Sequence, residues 1–397
     1  MHEVVINLYE VFHKIQGYIY PNDIELHWSI LIVLYPYITG LVAGAFILAS
    51  LERVFDVTQV KPTYKLSLLT ALSFLLVATI PLNLHLTQPQ RAFEIFATPH
   101  LTSAMAVFGF VYIWYLMVVL LLEIWFEYRK DFVIWSQEKK GILKLFYKIL
   151  SLGCDNISEN ALKLDDKIGK FITIIGIPSA ILLHGYVGFI FGSIKANPWW
   201  SSSLMPVIFI FSAMVSGIAL VMLIYMVISW VRKMPIDMIC LDTIGKYLLY
   251  AFIIDFSLES LDLIHRLYEA DESFSVLALL MSGKLYITLF IIQICIGTLT
   301  PIILLGLLQL IKINSGIKKS IYLISSLLTL LGIFAMRWNV VVGGQLFSKS
   351  LKGFTSYKLE FIGKEGLFIS AIILLFPVLI LTILLCILPA WDKKNSA

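Results

Sequence analysis

Charge is what this sequence has least of. Only 14% of its 397 residues are Asp, Glu, Lys or Arg, against 59% hydrophobic, and the mean hydropathy is +0.89. Soluble globular chains carry about 25% charged residues, so a water-soluble enzyme or carrier is excluded. Cysteine is scarce too: the four present (Cys154, Cys240, Cys295, Cys386) stand far apart. With no CxxC and no Cys/His pair at ligand spacing, neither an iron–sulfur cluster nor a structural zinc is expected in this chain. The opening MHEVVINLYEVFHKIQGYIYPNDIE lacks the basic start and unbroken apolar stretch of a cleavable signal, so the first span is expected to direct insertion. There is no phosphate-binding glycine loop, no nucleophile elbow and no low-complexity segment. A net charge of +4 is too small for this length to point to nucleic acid.

What the chain does have is apolar runs of around 20 residues or more from end to end, which predict an all-α, polytopic transmembrane bundle. Nine spans are expected, at about 28–50, 65–86, 101–126, 169–195, 203–230, 244–267, 283–311, 318–337 and 366–389, forming one membrane domain over 1–397. Of the 30 Lys and Arg residues, twenty fall on the side away from the N-terminus and ten on its own side. The positive-inside bias then predicts an outer N-terminus and a cytoplasmic C-terminus, in the cytoplasmic (inner) membrane. The tail WDKKNSA reads as an anchor, an interfacial Trp391 followed by Lys393 and Lys394. In the longest cytoplasmic connection, GILKLFYKIL suits either an amphipathic helix on the inner leaflet or a solvated loop helix.

Ionisable groups at depth cost roughly 2.5–3.5 kcal/mol each on insertion scales, so each needs a reason. In the sixth span Asp255, Glu259, Asp262 and Arg266 recur at helical spacing and share one face, which is expected to point into the bundle. The stripe climbs roughly 16 Å toward the outer surface. It reads as a proton relay ending at an outer site, or as an ion-paired seam closed by Arg266. His184 lies in the outer half of span four, followed by Gly185, Gly188 and Gly192, small residues that let a helix or a flat ligand approach. Its imidazole can exchange a hydrogen bond or a proton with a quinone oxygen, or be bonded to a neighbour. Tyr35, beside the helix-loosening Pro36, presents a phenol to an outer cavity or to an adjacent helix, and GLVAG after it is a close-packing step. His85, His100 and His265 add imidazoles at the outer ends. Haem is not expected, because His85 and His100 are too near the surface to pair with His184 as axial ligands. Glu123 and Glu127, near the inner end of span three, are proton uptake points or interfacial charges.

Span eight ends in MRWNVVVGGQ, residues 336–345. Arg337 is expected at the outer surface, paired with Asp262 or Glu259 or reaching to the head groups. Asn339 and Gln345 supply neutral hydrogen-bonding groups and Gly343-Gly344 a tight turn, together forming a polar lid over a pocket. The alternative is a plain interfacial loop.

Three stretches resemble the NrfD-like integral membrane subunits, the quinone-reactive anchors of polysulfide reductase and related complexes. They are YPYITGLVAGAF, LHLTQPQRAFEIFATPHLTSAM and HGYVGFIFGSIKANPWWSSSLMPVIFIFSAMVSG. Where many relatives read Asp-Leu-Gly-Arg-Pro after span two, this chain has His85, Leu86, Thr87, Gln88 and Pro89, with Arg91 following. The added ninth span is most similar to the DsrP type, from the Dsr transmembrane complex (DsrMKJOP) of sulfate reduction. The resemblance implies a subunit with no haem, cluster or metal of its own, binding menaquinone or menaquinol near the outer face. Its implied partners are a ferredoxin-like iron–sulfur subunit on that face, a multihaem cytochrome and further membrane or cytoplasmic redox subunits. On this reading His184, Tyr35, His100, Arg337, Asn339 and Gln345 hold the quinone. His184, Glu259, Asp262 and Asp255 handle its protons, and Asp255, Glu259, Asp262 and Glu123 form a proton pathway if turnover moves charge. Two other function classes compete: a secondary transporter or proton channel, against which the lack of an inverted repeat counts, and a passive membrane anchor.

Overall fold

In lipid a backbone has no water to bond with, so each long apolar run closes its own hydrogen bonds as a helix. The computed structural model describes residues 16–20, 26–100, 102–268 and 274–391; Lys393, Lys394 and most of the first twenty-five residues lie outside this set. Nine long helices appear among the described residues: α1 (Ile30–Arg53), α2 (Thr58–His85), α3 (Ala104–Glu138), α4 (Glu159–Gly192), α5 (Met205–Val231), α6 (Met238–Tyr268), α7 (Tyr286–Leu310), α8 (Ser315–Val341) and α9 (Leu367–Ile387). Eight of these are long and apolar enough to cross a membrane. The other, α6, is 31 residues long and carries Asp242, Lys246, Asp255, Glu259, Asp262 and Arg266 along its length. The protein is therefore an all-α, multi-pass membrane bundle.

α1 runs through the middle, buried without interruption from Ile30 to Phe46. Association between helices in lipid depends on close packing, which small residues permit. A Cβ on Gly44 would lie 2.1 Å from the Ala213 carbonyl oxygen of α5, so only glycine lets these two helices touch. Gly297 of α7 and Gly332 of α8 make a second such contact, each Cβ landing within 2.5 Å of the opposite Cα. Gly188 and Gly192 of α4 meet the start of α5 in the same way.

The long basic connection is mostly helical, because α3 continues to Glu138 and α4 starts at Glu159. Between them a short helix, Ile142–Leu150, buries Tyr147, whose hydroxyl donates to the Ile387 carbonyl at 2.8 Å. Ile142, Leu145, Phe146 and Ile149 stay exposed on its other face. At the opposite end of the bundle, strand β1 (Gln16–Tyr18) pairs antiparallel with β2 (Lys352–Phe354). The Ile30 N–H donates to the Tyr357 hydroxyl at 3.1 Å, a phenol that burial pushes up from its ordinary pKa. α1 is thus tied to the α8–α9 connection on the side where β1 and β2 meet.

Candidate functional site

Toward that end, α6, α7 and α8 enclose a cavity of about 160 Å³, near the roughly 150 Å³ of an engineered protein cavity that holds benzene. Phe256, Leu263, Leu289, Phe290 and Met281 make apolar walls, and Leu263 is exposed on the bundle's outside, so the cavity borders the lipid-facing surface. The polar groups lie together in a line. Gln293 Nε2 donates to both Glu259 oxygens at 3.3 and 3.4 Å, and Gln293 Oε1 accepts from Asn339 Nδ2 at 2.8 Å. Asn339 Oδ1 is buried with no partner, although its residue lines the cavity. Asp262 closes one end of the line, accepting from Ser202 Oγ and, at 3.0 Å, from Arg266 Nε; Arg266 also donates to the Pro198 carbonyl. Residues 286–299 of α7 are wound as a π-helix, a geometry that recurs at functional sites, and Gln293 sits inside that stretch.

The α4–α5 connection covers α8 from above. Trp199 Nε1 donates to the Asn339 carbonyl at 2.8 Å, Trp200 Nε1 to the Val340 carbonyl at 2.6 Å, and Asn197 Nδ2 to the Gly344 carbonyl at 2.7 Å. Trp200 stacks on Trp28 at 5.1 Å between ring centroids.

Arg337 is a neighbour of cavity-lining Met336 but turns the other way. Its side chain is fully buried, with the guanidinium 4.0 Å over the Phe209 ring and Nη2 donating to Ser212 Oγ at 2.7 Å and to His184 Nε2 at 2.9 Å. A guanidinium can only donate, so His184 Nε2 must accept, and its Nδ1–H is left to donate to Thr39 Oγ1 at 3.3 Å. Thr39 Oγ1 in turn donates to the Tyr35 carbonyl at 3.0 Å. Both ring nitrogens of His184 are therefore engaged, and neither His184 nor Arg337 lines the cavity. The expected pairing of Arg337 with Asp262 or Glu259 is corrected by this geometry. Asp262 is taken by Arg266, and Asp255 and Glu259 act on Arg337 through space, with no direct bond to it.

The remaining candidates disperse. Asp255 is buried one turn below Glu259, with Oδ1 unpartnered. The Tyr35 hydroxyl is buried without a partner, its ring packed edge-on against Phe108 at 5.3 Å. His100 is exposed on the α2–α3 connection, bonded to Thr102 Oγ1 at 2.7 Å. Gln345 is occupied as a clamp, accepting from the Trp28 N–H at 3.0 Å and donating to the Trp28 carbonyl at 3.1 Å. Glu123 lies far from the cavity, toward the other end of α3, accepting from Thr173 Oγ1 at 2.8 Å and the Tyr64 hydroxyl at 3.1 Å, its Oε2 unpartnered. Sequence reasoning brought Glu259, Asp262 and Asn339 to the cavity and missed Gln293, Ser202, Ser212, Thr39 and Trp199. Gln293 had a usable signal, since it is the lone amide in the apolar run YITLFIIQICIGTL.

The polysulphide reductase NrfD family model matches residues 21–349. A selenate reductase subunit of Mesobacillus selenatarsenatis is 30% identical over 389 residues, covering 93% of this chain and 87% of that protein. A putative dimethyl sulfoxide reductase membrane subunit of Halobacterium salinarum is 24% identical over 56% of this chain and 48% of its own length. Protein NrfD of Escherichia coli is 26% identical over 50% of this chain and 59% of its own length.

Proposed function

The chain belongs to the polysulphide reductase NrfD family, and on that footing we propose that it is the membrane subunit of a respiratory reductase complex that oxidises menaquinol or reduces menaquinone. The observation that carries the reading is the cavity between α6, α7 and α8, apolar toward the lipid and lined at its floor by Glu259, Gln293 and Asn339. Its size suits an aromatic head group, and the unpartnered Asn339 Oδ1 is an acceptor waiting for a hydroxyl donor. A bound menaquinol supplies two electrons and two protons when it is oxidised.

The chain's own residues handle the protons. Glu259 is the general base at the cavity, held by two long bonds from Gln293 that leave its oxygens lone pairs free to accept. Asn339 orients the hydroxyl, and Gln293 keeps base and orienting amide in register. Asp262, fixed by Ser202 and Arg266, receives the proton one turn further out, and Asp255 is the corresponding group on the inward side. His184 and Arg337 act from behind the cavity by positioning α8, while Tyr35, His100 and Gln345 shape the outer end. The N-terminus faces outward in the cytoplasmic membrane, where a ferredoxin-like iron–sulfur subunit docks on the covered end and takes the electrons. A multihaem cytochrome and further redox subunits complete the assembly. We further propose the DsrP type, a reading supported by the added ninth helix α9 beyond residue 349. The decisive experiment is Glu259→Gln in the reconstituted complex. Menaquinol-dependent reduction of the partner is expected to fall at least a hundredfold with the subunit still assembled; unchanged turnover would remove the assignment.

A further inference from the structure

A basic groove at the other end of the bundle is left unused by the quinone reading and does not depend on it. α5 travels about 39 Å from cavity-lining Met205 to Val231 and turns into α6 through RKMPID. Trp230, Val231, Lys233, Met234 and Pro235 line a groove there, and Lys319 of α8 closes it. Lys233 holds the left-handed backbone position that ends α5, with φ 54°. Its N–H donates to the Trp230 carbonyl at 3.1 Å and the Met234 N–H to the Ser229 carbonyl at 2.8 Å. Glycine is the usual residue at such a helix end because a Cβ there is strained, so a lysine is costly where the cap alone calls for none.

The charge at this groove is uncompensated. Of the nearby acids, Asp237 caps the start of α6, its Oδ1 accepting from the Ile239 and Cys240 N–H groups at 2.9 and 3.3 Å, and Asp242 is taken by Lys318 Nζ at 2.9 Å and the Tyr322 hydroxyl at 2.8 Å. No carboxylate of the described residues pairs with Lys233 or Lys319, and Arg232 adds a third cation, packed 4.9 Å from the Trp391 ring centroid. Directly beside these cations the surface is apolar and open. Trp230 is 79% exposed and Val231, next to it, 67% exposed. An exposed tryptophan at the end of a span belongs at the membrane interface, and unpaired lysines at that level meet lipid phosphate. We propose that this groove binds an anionic phospholipid, its phosphate held between Lys233 and Lys319 and its acyl chains lying along Trp230 and Val231.

The test uses the full chain purified in detergent and stripped of lipid, titrated with phosphatidylglycerol while bound lipid is counted by native mass spectrometry. Lys233→Gly retains the left-handed turn, so the fold is preserved while the charge is lost; Lys319→Gln removes the second contact. Each is expected to weaken phosphatidylglycerol binding about fivefold and the pair about 25-fold. Lys233→Arg should bind as the unaltered chain does. Phosphatidylcholine and inorganic phosphate at the same concentration should fail to displace the lipid. Equal phosphatidylglycerol binding by the double variant, or displacement by inorganic phosphate alone, would overturn the proposal.

Discussion

Replacing Gln293 by leucine tests whether the cavity is a site or only a gap between helices. The side chain makes three bonds, two long ones to Glu259 and one of 2.8 Å from Asn339. Hydrogen bonds inside membrane bundles average about 0.6 kcal/mol, so the fold should lose only about 1–2 kcal/mol, and an apolar side chain of similar size leaves no large void. The functional loss works on a different scale. Without Gln293, Glu259 and Asn339 Nδ2 each lose a partner, and a buried polar group left unpaired costs about 1–3 kcal/mol. Borne in the step that moves the proton, that is about a five- to 150-fold fall in kcat/KM. Because the stability term is the smaller, the variant should be folded at assay temperature and the fall in rate should report on the site. Menaquinol-dependent reduction of the iron–sulfur partner, measured beside a thermal melt in the same detergent, separates the two terms. Gln293→Glu, which sets a second carboxyl against Glu259, should be at least as slow. If Gln293→Leu turns over within twofold of the unaltered complex while Glu259→Gln does not, the amide positions nothing and the polar line has no mechanistic meaning.

Three further outcomes follow from the same geometry. His184→Ala removes the acceptor for Arg337, a hydrogen bond to a charged group worth about 1.5–3 kcal/mol, and should lower the melting temperature more than Gln293→Leu does; His184→Gln, which keeps an acceptor oxygen, should recover part of the loss. Gly44→Ala should abolish detergent-stable protein, because its Cβ meets backbone at 2.1 Å, whereas Gly40→Ala, whose Cβ meets the His184 side chain at 3.1 Å and needs a shift of only a few tenths of an ångström, should still accumulate, at a lower melting temperature, as monodisperse yield on size-exclusion chromatography and a thermal melt would show. With the native cysteines replaced by serine, a cysteine at His100 should react with a membrane-impermeant maleimide on intact cells and one at Ile142 should not; the reverse pattern would invert the proposed orientation.

The architecture could be read from the sequence because its cause is local. A run of apolar residues as long as the bilayer is thick has one way to satisfy its backbone, so eight of the nine long helices among the described residues are apolar enough to be placed by hydropathy, and α6, with its charges, is not. The inward stripe on α6 was legible for a similar reason: Asp255, Glu259, Asp262 and Arg266 repeat with the helix, and a charged face turned to lipid is too costly to keep. What periodicity could not supply was the partner on the next helix. Ser202 and Gln293 come to the α6 acids from the α4–α5 connection and from α7, and nothing within α6 indicates which neighbour it packs against. The π-helical winding around Gln293 was equally hidden, since it leaves no mark on composition.

MRWNVVVGGQ shows how a compact polar motif can mislead. Its polar residues are close in sequence, which suggested one rim over one pocket. Two residues apart on a helix, however, Arg337 and Asn339 point about 200° from one another and cannot serve the same wall. Arg337 faces α4 and α5, where His184 Nε2 and Ser212 Oγ receive it, and Asn339 faces α7, where Gln293 Oε1 receives it. Gln345 lies past the helix end and clamps the chain at Trp28. The motif therefore locks α8 to four different neighbours, and of its polar residues only the asparagine reaches the cavity. That division has a mechanical consequence. Because one helix carries both the buried cation and the cavity amide, a shift of α8 that loosens Arg337 from His184 must also move Asn339 against Gln293. Variants on the two faces should then fail to add: His184→Ala combined with Gln293→Leu should cost less in turnover than the product of the single losses, as expected for residues coupled through one rigid element.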